Sequence, residues 1–184
     1  MENIEIELKF PLLNTEELVK KLKLTSKFEK ESNEKDYYYN LPHRNFLEKK
    51  PISEWLRIRE SKKGFSLNYK NWHNKEGNCV SCDEFETKID DINSLKRIFK
   101  NLGIKDLIVV DKTRKTWSYK NTLIAIDNVK ELGNFIEVEA KGNFSSIEEA
   151  KKYLFKILEE IGAKIGEQDF KGYPWRLLEK KNLI

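Results

Sequence analysis

The segment Ile4-Glu5-Ile6-Glu7-Leu8-Lys9-Phe10 alternates without a break between apolar and charged side chains. A repeat of two is the pattern of a strand with two unlike faces, because successive side chains leave opposite sides of the pleat. Ile4, Ile6, Leu8 and Phe10 form one face. Glu5, Glu7 and Lys9 form the other, at intervals of about 7 Å. A single strand of this kind could turn its charged face to water. Recurrence argues for more. Arg57 and Arg59 flank Ile58, Glu84 and Glu86 flank Phe85, Lys112 and Arg114 flank Thr113, and Glu137 and Glu139 flank Val138. Like charges two residues apart share a strand face and repel unless something neutralises them. A closed sheet with its charged faces turned inward accounts for all of these segments together. Such a tunnel would hold a highly charged anion and the cations that accompany it.

A chain of 184 residues is long enough for one domain with a real core, and the expectation is a single domain over residues 1–184. Hydrophobic residues make up 39% and charged residues 36%, a balance typical of a soluble chain although rich in charge. No apolar run reaches the roughly 20 residues needed to cross a bilayer, so no membrane partner is expected. The sequence opens directly on a charged strand, which leaves no room for a signal peptide and favours the cytoplasm. The net charge of +4 is a small difference between 35 basic and 31 acidic residues. That suits an anion held at a local site better than a surface built to coat nucleic acid. Cys79 and Cys82 form a lone C-x-x-C with His73 shortly before it. A structural zinc site needs four ligands, and no second pair is present, so the thiols read as a loop feature without metal or redox use.

Along the chain, Pro11 ends the first strand and Asn14-Thr15-Glu16-Glu17 opens a helix to about Leu24, its acidic residues at the positive end. Ser26 to Glu34 reads as a polar link, Asp36 to Tyr39 as a strand, and segment 41–53 as a long loop. Trp55 to Arg59 and Phe65 to Lys70 form a hairpin about Gly64. Residues 71–81 read as another loop, followed by a strand from Asp83 to Ile89. Asp91 caps a helix through Leu102, with Leu95, Ile98, Phe99 and Leu102 as the buried side and Gly103 as its stop. Strands are expected from Leu107 to Trp117, Leu123 to Asp127 and Phe135 to Ala140. Ser145-x-x-Glu148 reads as a capping box for a helix to Ile161, with Gly162 after it. A last short helix is expected around Trp175 to Leu178. The fold class is therefore α+β. About eight antiparallel strands close into a barrel, with helices packed outside over the apolar faces. There is no G-x-x-x-x-G-K-[ST], no G-x-G-x-x-G and no Ser/His/Asp set.

Glu5-x-Glu7-x-Lys9 resembles the E-x-E-x-K signature of the CYTH, or triphosphate tunnel metalloenzyme, superfamily. The order of the later motifs strengthens the resemblance: Asp36-Tyr37-Tyr38, Leu56-Arg57-Ile58-Arg59, Leu67-Asn68-Tyr69-Lys70, Lys112-Thr113-Arg114, Asp127, and Leu132-Gly133-x-Phe135-x-Glu137-x-Glu139. The match runs in order over about residues 1–140. It implies a closed antiparallel tunnel that binds a triphosphate with Mg²⁺ or Mn²⁺, as in class IV adenylyl cyclases, thiamine triphosphatases and inorganic triphosphatases. Two departures stand out. Similar sequences often carry an Arg two residues before the Glu84-x-Glu86 pair, where this chain has Cys82. Class IV cyclases commonly carry Ser-Tyr-x-x-Leu-Leu near the C-terminus, where this chain has Gly172-Tyr173-Pro174-Trp175-Arg176-Leu177-Leu178.

The chemistry fits the charges. Lys9, Arg57, Arg59, Lys70, Lys112 and Arg114 can stabilise charge moving among triphosphate oxygens, the arginines in bidentate fashion and the lysines as point charges. Glu5, Glu7, Asp127, Glu137 and Glu139 are candidate ligands of Mg²⁺ or Mn²⁺, both of which take hard oxygen donors. Glu84 and Glu86 could join them or balance the basic set. Lys112, Tyr37 and Lys9 are the candidates for a catalytic role; in the hydrolases the resemblance implies that Lys112 and a tyrosine from Tyr37/Tyr38 orient the attacking water. The substrate would be ATP, inorganic triphosphate or thiamine triphosphate. The D-Y-Y, L-R-I-R and D-x-V-x-x-L-G pattern leans to the adenylyl cyclase branch, with a triphosphatase and a non-catalytic polyphosphate-binding module as alternatives. Basic residues alternating with acids, with few aromatics on their face, argue against nucleic acid. The oligomeric state stays open, a homodimer included.

Overall fold

Alternating strands dominate the computed structural model, which describes residues 6–75 and 78–184, without the side chains from 73 to 82. Glu5 and the side chains of His73, Cys79 and Cys82 thus lie outside the described residues. The elements run β1 (Glu7–Pro11), α1 (Thr15–Thr25), β2 (Lys27–Asn40), β3 (Glu54–Ser61), β4 (Gly64–Lys75), β5 (Asn78–Ile89), α2 (Ile92–Asn101), β6 (Lys105–Tyr119), β7 (Thr122–Val129), β8 (Gly133–Ala140), α3 (Ile147–Ile161) and α4 (Tyr173–Lys180). The strands make one eight-stranded antiparallel sheet in the order β1-β8-β7-β6-β2-β3-β4-β5. Among the described residues no ladder joins β1 to β5, so this is an α+β sheet with four helices rather than a hydrogen-bonded closed barrel. No described helix is long and apolar enough to cross a membrane.

Two segments expected as loops are strand. The polar run from Lys27 onward is the first half of β2, with Ser118 donating to Glu29 at 2.7 Å and Phe28 edge-on to Trp117. Its own residues carry no apolar alternation, so the signal lies in the partner strand β6 and not in the segment. Residues 71–75 and 78–81 continue β4 and β5, whose register shifts between His73 and Asn74. Backbone pairing alone extends a hairpin through polar sequence once the strands are aligned.

The chain divides into two compact units, one holding the residues up to Ser32 with Lys112–Gly172, the other Asn33–Asp111 with Tyr173–Ile184. In the first, Leu8 and Phe10 of β1 lie beside Val138 and Ile136 of β8, with Ile124 and Ile126 of β7 next in register. This apolar face packs under Leu154, Ile157, Leu158 and Ile161 of α3 and Leu18 and Leu22 of α1. The cap of α3 sits one residue later than expected: Ser146 accepts from the Glu149 backbone N–H, and the Glu149 carboxylate accepts from the Ser145 N–H. Gly162 ends the helix at φ 74, a left-handed conformation that glycine adopts without Cβ strain.

In the second unit α2 covers Tyr39, Ile58, Leu56 and Leu67 with Ile92, Leu95 and Phe99. Asp91 accepts from the Asn93 and Ser94 N–H groups and fixes the helix start, which turns Ile92, Leu95 and Phe99 toward the sheet. Ile98 and Leu102, expected on the buried side, are exposed. Ile98 stands about 100° around the helix from Phe99, and Leu102 is the C-cap, just past the last helical residue.

Truncating Leu154, fully buried in the first unit, to Ala should cost about 2–5 kcal/mol of unfolding free energy by urea denaturation. Leu24→Ala, at a residue 88% exposed, should stay within about 0.5 kcal/mol. Equal costs would contradict the core assignment.

Candidate active site

The register that buries the apolar face of the first unit also gathers its charges on the opposite face. Lys9 pairs with Glu137, Glu137 with Ala125, and Asp127 with Arg114, so Lys9, Glu137, Asp127, Arg114 and Lys112 lie on one side. Arg114 is the hub. Its Nε donates to Asp127 Oδ1 at 2.7 Å and its Nη2 to Oδ2 at 2.6 Å, a bidentate fork. The same Nη2 also contacts Glu137 on β8, two strands away. The residue of β7 opposite Glu137 is Ala125, whose small side chain leaves that crossing open. Lys9 Nζ reaches Glu137 Oε1 at 2.8 Å, and Lys112 Nζ reaches Asp127 Oδ2 at 3.3 Å. Lys112, Asp127 and Glu137 are buried.

The charges hold one another ionised. Burial alone would raise the Glu137 carboxyl, but Lys9, Arg114 and Lys112 hold it well below the usual carboxylate range. Asp127 is lowered too, against its own burial, by Lys112 and Arg114. Burial opposes the charge on Lys9, and the fields of Glu137 and Glu7 outweigh it, so its ammonium is raised above the ordinary value. Glu7 lies directly across from Glu139, whose carboxylate contacts Lys141.

A second constellation occupies the corresponding face of the second unit. Asp36 pairs with Arg59 and Tyr38 with Arg57 across β2 and β3, while Arg57 faces Asn68 across β3 and β4. Arg59 forks onto Asp36, Nε to Oδ1 at 2.6 Å and Nη2 to Oδ2 at 2.7 Å, and Arg57 Nη1 donates to the same Oδ2 at 3.0 Å. Glu34 stands 3.2 Å from Arg59 Nη2. Lys70 bridges to Glu84 at 2.9 Å, Asn68 Nδ2 donates to the other Glu84 oxygen at 2.7 Å, and Ser66 donates to Glu86 at 2.7 Å. Glu84 is thus paired with a cation, Lys70, and Glu86 accepts from a neutral hydroxyl. Burial opposes the charge on Arg59, but the hydrogen bond to Asp36 and its field raise the guanidinium further above its ordinary range.

Within the first unit the structure thus brings together Lys9, Lys112, Arg114, Asp127 and Glu137, with Glu7 and Glu139 on the same face. Within the second it brings together Arg57, Arg59, Lys70, Glu84 and Glu86. Tyr37 is not on the arginine face. It pairs with Ile58, joins the apolar cluster under α2, and donates to Glu60 at 2.9 Å. Its neighbour Tyr38 faces Arg57, buried edge-on against Trp55, and that burial raises its phenol. Glu34 and Asn68 were outside the expected site, Asp36 stood only within the Asp36-Tyr37-Tyr38 motif, and Tyr38 only as the alternative to Tyr37. Glu34 and Asp36 do carry the i, i+2 signature of the other pairs, hidden where the polar stretch before Asp36 reads as a link.

Residues 3–173 match the family model of the CYTH domain. The chain belongs to the CYTH family. A Methanocaldococcus jannaschii protein provisionally named an adenylate cyclase is 33% identical to this CYTH domain over 161 residues, 87% of this chain and 89% of its own. A solved Pyrococcus horikoshii structure is 32% identical with a TM-score of 0.79, covering 96% of this chain and 99% of that one. A Hippeastrum structure described as having a dominant triphosphatase activity shares the fold at a TM-score of 0.63 and 16% identity, with 97% of this chain and 96% of that one covered.

The depressed carboxylates set the acid limit of this CYTH domain. A group whose folded pKa lies below its unfolded value, about 4 for Asp and Glu, adds stability above that value and loses it as pH falls through the folded pKa. Unfolding free energy measured from pH 7 to 3 should therefore fall on acidification in wild type. Glu137→Gln should start lower and fall less steeply, and parallel curves would contradict the depressed ionisation.

Proposed function

We propose that this CYTH domain is a metal-dependent enzyme acting on a triphosphate, and that its reaction is the conversion of ATP to cyclic AMP and pyrophosphate. The observation that carries the reading is the convergence of Arg57 and Arg59 on one carboxylate, Asp36. A fork and a second guanidinium that together grip a carboxylate are equally shaped to grip a phosphate, and a phosphate brings more charge. Lys9, Lys112 and Arg114 are three further cations on one strand face, each paired there with Asp127 or Glu137. Lys70 completes the proposed phosphate-binding set. The cyclase assignment draws on the Methanocaldococcus relative, which carries that name and spans most of both chains.

In that reaction the ribose 3′-oxygen bonds to the α-phosphorus, its proton departs, and the bond to the β-phosphate bridging oxygen breaks to release pyrophosphate. Fixed cations that meet charge as it shifts toward the leaving group supply most of the acceleration. Lys112 and Lys9 are the proposed catalytic residues, and Tyr38 replaces Tyr37 as the tyrosine on the charged face. Carboxylates of Glu7 and Glu139, opposed across β1 and β8, suit a hard divalent ion, and Glu5 continues their line in sequence. Among the described residues no three acidic, His or Cys side chains are gathered as a complete metal site, which fits an ion that takes one or two carboxylates and completes its shell with water and phosphate. Bound there, Mg²⁺ or Mn²⁺ would neutralise phosphate charge.

A second reading, triphosphate hydrolysis, has one observation in its favour. Gly172, at φ 78, stands where the cyclase-like C-terminal pattern carries a serine. Incubating the protein separately with ATP, thiamine triphosphate and tripolyphosphate, with Mg²⁺ and with Mn²⁺, tests both. Cyclic AMP from ATP is the expected product; orthophosphate from any of them makes it a triphosphatase; no turnover with tight binding makes it a binding module.

Arg57→Ala should weaken binding of a non-hydrolysable triphosphate by roughly ten- to a hundredfold, since a charge-assisted contact is worth about 1.5–3 kcal/mol. Arg57→Lys should recover only part, because it keeps the charge and loses the fork. Three equal affinities in a calorimetric titration would remove Arg57 from the site.

A further inference from the structure

On the second charged face the side chain buried most completely is neutral. Asn68, in the middle of β4, is 1% exposed. Its amide is oriented by Glu84, which accepts from Nδ2 through one oxygen and from Lys70 through the other. A flipped amide would set Oδ1 against that carboxylate, so the hydrogen-bond network fixes the orientation and directs Oδ1 away from β5. Across β4 from Asn68, in register, is Arg57 on β3. Among the described residues, Asn68 Oδ1 and Arg57 Nε are both buried without a hydrogen-bond partner. One is an acceptor, the other a donor, on paired residues of one face.

Arg57 meets Asp36 through Nη1. A guanidinium that grips an anion through its terminal nitrogens leaves Nε–H directed sideways in its own plane, and an acceptor there fixes the plane of the fork. We propose that Asn68 is a positioning residue for Arg57: when the terminal nitrogens turn from Asp36 to a phosphate, Arg57 Nε–H donates to Asn68 Oδ1 and locks the fork in the phosphate-binding plane. The inference rests on the triphosphate reading of this face. It adds a link running from Lys70 through Glu84 and Asn68 to Arg57, so that orientation of the arginine depends on a neutral amide rather than on another charge. A carboxylate at this place would hold Arg57 more tightly and compete with the phosphate for it. The amide orients without competing.

The test is a double-mutant cycle read by titrating tripolyphosphate, with Mg²⁺, into the full chain as wild type, Asn68→Ala, Arg57→Ala and the double variant, with thermal unfolding of each as a folding control. Asn68→Ala should weaken binding about five- to tenfold in the wild-type background, the value of one hydrogen bond, and by nothing further in the Arg57→Ala background. Asn68→Thr, whose hydroxyl can donate to Glu84 and accept from Arg57, should recover most of the loss. Should Asn68→Ala fail to fold, Asn68→Leu replaces it, close in volume and without an acceptor, and should lose affinity only where Arg57 is present. An equal loss in both backgrounds, or no loss in either, overturns the positioning role while leaving the phosphate site standing. If Arg57→Ala itself leaves tripolyphosphate binding unchanged, the triphosphate reading has failed, and the inference with it.

Discussion

A charge taken out of water must be paired, and in this chain Arg114 does the pairing across three strands. One guanidinium on β6 neutralises Asp127 on β7 and reaches Glu137 on β8, which in turn holds Lys9 on β1. The contacts require the register of all four strands at once, since a slip of one residue would carry every member to the apolar face. The helices depend on the same register. Leu8, Ile136 and Ile126 can meet α3 only when Lys9, Glu137 and Asp127 face the other way. The second unit repeats the logic with Asp36 as the shared partner of Arg57 and Arg59, and with Ile58 between the arginines turned to α2.

Stability is a poor reason for keeping such faces. Replacing a buried ion pair with apolar residues of similar volume is often neutral or favourable, whereas removing one partner alone typically costs about 3–5 kcal/mol. The sheet could close its core more simply with a second apolar face. Its cations are instead held charged by neighbouring carboxylates, which raise the proton affinities of Lys9 and Arg59 and, on the proposed reading, would give way to a phosphate. That is the electrostatic preorganisation a phosphoryl-transfer site needs: fixed charge, already desolvated, that need not reorganise when the substrate's charge moves.

Much of this was legible in the sequence, because parity in a strand is arithmetic. The pairs Arg57/Arg59, Lys112/Arg114 and Glu137/Glu139, each around an apolar or neutral residue, predict shared faces before any pairing is known. The helices over Leu18/Leu22 and Leu154/Ile161 follow equally from local period. What escaped has physical causes. The first half of β2 is strand because β6 pairs with it, and its own polar sequence carries no sign of that. Missing it hid Glu34, and with it the i, i+2 pair that Glu34 makes with Asp36, the anchor of both arginines. Choosing Tyr37 over Tyr38 required the register to Arg57, which adjacent tyrosines cannot reveal. Ile98 read as core by its spacing from Leu95, yet Phe99 beside it takes the inward place; Leu102 read as a helical residue, yet it is the C-cap. Ladder closure between β1 and β5 is a property of long-range pairing, beyond what a count of strands can establish.

The central claim is that the paired charges of these strand faces are a triphosphate site, and a crystal structure with a non-hydrolysable ATP analogue and Mg²⁺ tests it most directly. Phosphate oxygens are expected on Arg57 and Arg59, with the contacts of both arginines to Asp36 lengthened or exchanged. An analogue bound through exposed residues such as Lys21 and Lys120, with every contact to Asp36, Asp127 and Glu137 unchanged, would contradict it.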